Sequence, residues 1–389
     1  MVKFGFKFKQ MLKKNKRIIF FAFLASVSLL LLFGKDFIPG ITRKLTPEES
    51  LRTLQGVIKI IRNDYVKEPN PTEIMTGAFK GLVDSLDPIS SYMDEKTIDK
   101  YRKRRELNLK DTGLILFKNY GNFPVVIGIP ENSPAEEKGI QIGETISAIN
   151  DQSTLMMSMT EANLHLKHEE KSAVKFKVLR GSGSEEILIE SRNLFTEPYF
   201  FNPQEDTSGI LRIHHLFPPC LDQIDQKLLP SLKKKTQPLI LDLRNCDDGD
   251  IKEALRLINY FLKADEIGYF KNKDGTKEIL SCHQKDDLKH LPIIVWTNQA
   301  TIGAAEIVAV VLKEFKKAPI IGTTTPGLTA KKKLFVLEDG TGLLLASSIF
   351  HMNSGPEIWL KGVKPDVDMK NSHDTEKYWQ KTVPFLAKF

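Results

Sequence analysis

Apolar residues recur at two spacings along this chain, and the change between them divides it. From residue 46 to 104 the spacing is helical. Leu51, Leu54, Val57, Ile58 and Ile61 share one face of a helix over Ser50–Arg62. Pro69 and Pro71 interrupt the pattern. A second helix over Glu73–Ser85 stops at Leu86–Asp87–Pro88, because a proline disfavours helix in the residue before it. From 109 to 193 short strands are predicted at Ile146–Asn150, Val174–Leu179 and Glu186–Glu190, with helices at Pro134–Lys138 and Thr160–Lys167. From 208 to 370 strand and helix alternate. Strands fall at Gly209–His214, Pro238–Asn245, Pro292–Thr297 and Pro319–Gly322. Helices fall at Pro219–Lys235, Lys252–Leu262 and Thr301–Lys316. The run PLILDLRN at 238–245 is nearly continuous in apolar residues, as a strand covered on both faces requires. Lys332–Leu337 and Gly342–Ser347 flank Glu338–Asp339–Gly340–Thr341, a hairpin signal. The βαβ rhythm predicts an α/β core.

Charge changes the picture only at the N-terminus. The net charge is +7, but residues 1–17 carry seven bases and no acid, leaving 49 bases against 49 acids. A neutral body argues against nucleic-acid binding. The bases precede Ile18–Phe33, sixteen residues without a charge. This reads as a single membrane anchor over 18–34, with residues 1–17 in the cytoplasm and the body in the periplasm or extracellular space. A cleaved signal peptide is the rival reading, although the small residues Ala22, Ala25, Ser26 and Ser28 lie inside the run rather than after it. Cys220, Cys246 and Cys282 have no metal spacing and read as free core thiols. Neither a metal nor a cofactor is implied.

Several motifs carry a resemblance. LDPISSYM at 86–93 is similar to the LDPHSSYM signature of the C-terminal processing peptidases, also called tail-specific proteases, of serine peptidase family S41. SPAEEKGIQIGETISAIN at 133–150 resembles that family's PDZ segment, and KGVKPDV at 361–367 resembles its K-G-I-x-P-D-V. The resemblance implies an α+β multidomain fold. Its parts are an N-terminal helical domain at 46–108, a PDZ domain at 109–193, an α/β core of the ClpP/crotonase type at 194–370 and a C-terminal tail at 371–389. It also implies a peptide-binding loop at Gly113, Leu114, Ile115 and Leu116, where a peptide C-terminus would add as a strand with Leu114 and Leu116 lining an apolar pocket. Ile115 replaces a family glycine there. His165 and His168 are expected on the bordering helix as solvated groove residues rather than metal ligands.

The catalytic motifs are present in outline and altered in chemistry. The family turn N-x-x-S-A-S-A-S-E fits at Asn298 and Glu306, but its nucleophile position holds Gly303. The base position in the turn TTPGLTAKKK holds Leu328, with Gly327 matching the family glycine, and the orienting glutamine position holds Lys332. In the oxyanion loop LDLRNCDDG, Cys246, Asp247 and Asp248 replace N-P-G ahead of Gly249. A carboxylate 4 Å from an oxyanion costs about 4 kcal/mol at an effective dielectric of ~20, or on the order of a thousandfold in rate. The resemblance therefore implies a membrane-anchored protein without peptidase chemistry. It would bind protein C-termini, or scaffold or regulate an active relative, or pair as a homodimer. The alternative is an active endopeptidase with a rearranged site. Its nucleophile would be Thr301, near Lys331–Lys333, or Cys246 with His214, His215 or His283. Asp242, Asp247, Asp248 and Asp250 read as a helix cap region before a cation site.

Overall fold

The computed structural model describes residues 46–103, 110–168, 172–194, 199–201, 209–283, 287–370 and 372–387. The expected anchor at 18–34 and its basic flank lie outside them. No helix among the described residues is long and apolar enough to cross a membrane. Contacts divide the chain into Met1–Pro71 and Thr72–Phe389. The first holds the helix Pro47–Asp64, opened by a capping box in which Thr46 and Glu49 each accept from the other's backbone N–H.

The second unit is built on a six-stranded sheet. Its order is Tyr199–Phe201, Gly209–Arg212, Leu239–Asp242, Ile293–Thr297, Ile320–Gly322, Val367–Asp368, parallel except for the first strand. Alternation assigns each residue to a face. Leu239, Leu241, Ile293, Val295 and Ile320 meet the helices Ile251–Asn259 and Ala304–Lys316 in one core. Ile240, Ile294, Trp296 and Ile321 pack on the other face against Tyr378 and Trp379. Each such side chain, fully buried, contributes about 1.5–3 kcal/mol.

Tyr378 and Trp379 belong to a helix, Thr375–Leu386. The residues read as a tail thus close one face of the sheet, and Trp296 Nε1 donates to Thr382 Oγ1 across 2.9 Å. The single helix expected over Pro219–Lys235 is broken into Pro218–Gln223, a π turn at Ile224–Leu228 and Leu229–Leu232. Pro230 lacks the N–H that a continuous helix needs.

A second sheet is antiparallel, with Ser91–Met93, Gly342–His351, Ala264–Asn272 and Lys277–Cys282 in order and Ala330–Val336 on the other side of Gly342–His351. The LDPISSYM motif joins it. Asp87 Oδ1 accepts the N–H groups of Ile89 and Ser90, Oδ2 accepts the Ser90 hydroxyl, and Ser90 Oγ accepts the Ala346 N–H. The motif is a structural clasp.

Residues 110–194 form a β-rich module. Its sheet runs Ile115–Phe117, Val125–Gly128, Thr145–Ile149, Ala173–Arg180, Gly183–Glu190, and Gln152–Ser153 pairs with the third of these. The helix Met159–Leu166 packs over a core that includes Leu114, Leu116, Ala162, Leu166 and Phe176.

Candidate functional site

The strand Ile293–Thr297 ends in a turn held by its own side chains. Asn298 Oδ1 accepts the Ala300 and Asn245 N–H groups, and Thr301 Oγ1 accepts the Asn298 N–H and donates to Leu243 O at 2.8 Å. Gly303 then caps the helix Ala304–Lys316 with φ 63° and ψ −110°, a strained turn of the kind that carries a nucleophile. No hydroxyl is present there.

Glu306 ties that turn to the expected base turn. It is fully buried. Its Oε2 accepts the N–H groups of Gly303 at 2.8 Å and Leu328 at 2.7 Å, and its Oε1 accepts from Gly327 N–H and Thr325 Oγ1. The Thr325 oxygen itself accepts from Val363 N–H, so its hydrogen goes to Glu306. Burial lifts the Glu306 carboxyl to about 7 against the four hydrogen bonds that pull it down. Gly303 and Leu328 are therefore brought together, as the resemblance implies. Leu328 is buried, while Lys332 lies exposed in the strand Ala330–Val336.

Both residues expected as alternative nucleophiles, Thr301 and Cys246, are fully buried. Thr301 has its hydroxyl committed in two directions. Cys246 accepts the Ile302 N–H on its carbonyl, and burial pushes its thiol well above the usual range. Among the described residues no group of His, Cys, Asp and Glu is arranged to hold a metal ion.

The acidic loop is not a cluster. Asp242 sits between Arg212 Nε at 2.7 Å and Arg244 Nε at 2.8 Å. Burial opposes its charge, and the two guanidinium groups outweigh that and hold the carboxyl well below the usual range. Arg244 also lies over the rings of Trp296 and Tyr378. Asp250 caps the next helix without a side-chain cap bond, and the Asp248 carboxylate turns back to the Gly249 N–H. Gly249 is required by close packing, since a Cβ there would lie 2.4 Å from Leu216 Cβ.

Asp247 corrects the repulsion argument made from the sequence. Its carboxylate bonds Lys167 Nζ at 2.9 Å, with Asp111 and Asp248 at 3.7 and 3.8 Å from the same ammonium and His215 Nδ1 3.6 Å from Asp247. Lys167 lies in the module, so the altered loop is its docking point on the core. Nearby, a Cβ on Gly128 would lie 2.4 Å from Ala300 Cβ and 2.6 Å from Asn245 Oδ1, so only glycine allows this approach. Glu131 adds a second contact, to Arg212 at 2.8 Å. Sequence reasoning missed Lys167, Glu131 and Arg212 as partners because no local pattern links residues that far apart.

The residues expected to form a peptide-binding loop are placed differently from that expectation. Gly113 has φ 82° and donates its N–H to Asp111 Oδ1 at 2.8 Å. Leu114 and Leu116 belong to the module's closed core rather than an apolar pocket, and Ile115 packs with Ile127 and Ala300. The bordering helix ends at Leu166. His168 falls in the short strand Lys167–His168 instead of sharing a helix with His165, and burial lowers the pKa of both.

Comparison with known proteins agrees with this geometry. The model for peptidase family S41 matches residues 208–369, and the model for the activating protease CtpB N-terminal domain matches 40–97. The chain is 27% identical to the carboxy-terminal processing protease CtpA of Bacillus subtilis (strain 168), over 92% of this chain and 77% of that protein. It is 25% identical to a probable CtpA-like serine protease of Staphylococcus aureus (strain MRSA252), over 89% and 69%. In fold it is similar to the photosystem II D1 C-terminal processing protease, with a TM-score of 0.65 at 18% identity over 81% of this chain and 86% of that one. From the αβ core to the clasp and the paired turns, the chain belongs to the C-terminal processing peptidases of family S41.

Proposed function

We propose that this chain is a protein-binding member of its family that has lost peptidase activity. One observation carries the reading: the residues brought together by Glu306 are Gly303 and Leu328, which supply neither a nucleophile nor a base. The burial of Thr301 and Cys246 supports it, because neither can meet a substrate carbonyl without the turn opening. We read the 110–194 module as PDZ-like and docked on the altered oxyanion loop through Lys167. Relatives are named for processing carboxy-terminal segments, so protein C-termini are the first class of ligand to test. The closed packing of Leu114 and Leu116 favours scaffolding of a partner, an active relative or a second copy, over capture in a carboxylate loop. The 18–34 segment is read as the anchor that places the body outside the cytoplasm. The test is cleavage of unfolded casein by the purified chain. Absence of turnover is expected, and turnover that disappears in Thr301→Ala would overturn the reading.

A further inference from the structure

One end of the six-stranded sheet gathers lysines from four segments of the chain. The parallel strands Leu239–Asp242, Ile293–Thr297, Ile320–Gly322 and Val367–Asp368 are neighbours in that order. The segments leading into them, 231–238, 287–292, 313–319 and 364–366, therefore lie side by side. Leu239 N–H donates to Pro292 O, and Val295 N–H to Pro319 O. Side chains stitch the segments together. His290 Nε2 donates to Lys235 O at 2.8 Å, Lys316 Nζ to Lys289 O at 2.6 Å, and Lys313 Nζ to Lys364 O at 2.8 Å. The turns that hold Gly303 and Leu328 follow the opposite ends of the strands, so this pole faces away from them.

These four segments hold eight lysines and no arginine, against Asp287, Glu314 and Asp366. Asp287 pairs with Lys233 at 3.1 Å and Asp366 with Lys313 at 2.9 Å. With His290 neutral the pole carries an excess of five positive charges, in a body whose bases and acids balance. Lys234, Lys289, Lys317 and Lys364 are exposed. The crowding shows at Lys316, where burial and then the charge of Lys289 lower the ammonium pKa. A negative surface would relieve that repulsion. Lysine is a mobile point charge, whereas arginine is a planar fork, so an all-lysine set suits diffuse negative charge more than one carboxylate or base edge. The approaches to four adjacent strands span about 15 Å, a front rather than a point. Phe315, 43% exposed, lies in the same helix turn as Lys316 and adds an aromatic ring to the lysines. Aromatic rings beside lysines are the composition of a membrane–water interface.

We propose that this end of the sheet docks on an anionic lipid bilayer, with its lysines among the headgroup phosphates and Phe315 at headgroup depth. The choice of a bilayer rests on the anchor reading above, which keeps the body beside a membrane. The cationic front rests on the four segments themselves. Each lysine that reaches an anionic surface raises partition roughly fivefold at low salt.

The test follows acetylation of single lysines in the full chain, with vesicles of phosphatidylcholine alone and with about 30% phosphatidylglycerol added. Lys234, Lys317 and Lys364 should react roughly fivefold more slowly with the anionic vesicles, while the exposed Lys138 and Lys177 of the module keep their rates. Salt at about 1 M, where screening acts within ~3 Å, should abolish the difference. Lys234→Glu with Lys317→Glu, both at exposed positions, should return Lys364 to its rate with neutral vesicles. Rates indifferent to lipid charge, or equal slowing of Lys138 and Lys177, would overturn the proposal. Slowing by soluble poly-L-glutamate as strong as that by anionic vesicles would overturn the bilayer and put an acidic polypeptide in its place. A chain that leaves neutral vesicles, yet holds anionic ones through these lysines, would sink the anchor reading and keep this one. A chain held by neutral vesicles, with lysines blind to lipid charge, would do the reverse.

Discussion

A side chain grown from Gly303 would point at Leu328. The nearest atom to a Cβ built there is the Leu328 carbonyl oxygen, at 3.7 Å, an ordinary contact. The two residues that the proposed reading puts at the nucleophile and base positions are thus neighbours in the fold. The neighbouring glycines of the same turns are held more tightly. A Cβ on Gly327 would lie 2.3 Å from Ile358 O, and one on Gly362 would lie 1.7 Å from Thr325 O. Gly303→Ala should therefore cost only its backbone strain, about 1–3 kcal/mol. Gly327→Ala and Gly362→Ala should each cost more than 3 kcal/mol, because backbone must move as well. Urea unfolding of the three variants checks the order, and equal losses would mean the turns relax together.

Lys167 is predicted to hold the module on the core. Lys167→Met would strand three carboxylates, two of them largely buried, and removing one partner of a buried pair costs about 3–5 kcal/mol. Asp247→Asn should cost less, since Asp111 remains beside the ammonium. A double-mutant cycle should give a coupling of about 1–3 kcal/mol between the two positions. Additive losses would mean that the pair is incidental to docking.

Legibility in the sequence followed how local each signal was. The Pro238–Asn245 strand was readable because burial on both faces leaves an apolar run, observed as Leu239–Asp242 with every residue buried. The hairpin around 338–341 was readable from its turn, in which Asp339 Oδ1 accepts from Thr341. The Ala264–Asn272 and Lys277–Cys282 hairpin was overlooked, although Asp274–Gly275 marks its turn. The Thr375–Leu386 helix was hidden by Pro384 and by a face that only Tyr378, Trp379 and Thr382 bury. At the site, the resemblance of the two turns to the family's motifs implied that Gly303 and Leu328 face one another, and Glu306 joins their turns. Lys167 and Asp247 were beyond reach, because they are 80 residues apart and only the folded chain makes them neighbours.

His214 should make the fold acid-sensitive. Burial depresses its pKa to about 3, from an ordinary 6.5. The unfolded chain therefore binds the proton more tightly, and between those values stability falls as pH falls. The full effect is roughly 5 kcal/mol, present above pH 6.5 and lost progressively toward pH 3. Glu306 and Asp84 are shifted the opposite way and act with opposite sign over part of this window. The informative quantity is thus the stability difference between the parent and His214→Gln, measured in urea at several pH values. It should rise with pH up to about 6.5 and then level off. A difference that stays flat from pH 4 to 7 would mean the imidazole is hydrated in the native state.

Restoring the two missing side chains should not restore cleavage. In Gly303→Ser with Leu328→Lys, the serine would sit at a φ of 63° that the turn already holds, and its Cβ has room. The lysine must enter a buried position whose backbone N–H is fixed on Glu306, and Lys332, the residue at the expected orienting position, is exposed on the following strand. A buried lysine without a partner loses its proton readily, but it also loses the fixed direction that a base requires. The loop read as the oxyanion loop presents a second obstacle. Asp247 is matched by Lys167, so its charge is a smaller barrier than the sequence suggested, yet that pair ties the loop to the module, and the Cys246 carbonyl takes the Ile302 N–H. Orientation and oxyanion stabilisation together are worth several kcal/mol, or on the order of a thousandfold or more in rate. Casein turnover by the double variant should therefore stay within about tenfold of the parent background. If it rises well beyond that, Lys332 and the acidic loop are tolerated, and the proposed inactivity rests on Gly303 and Leu328 alone.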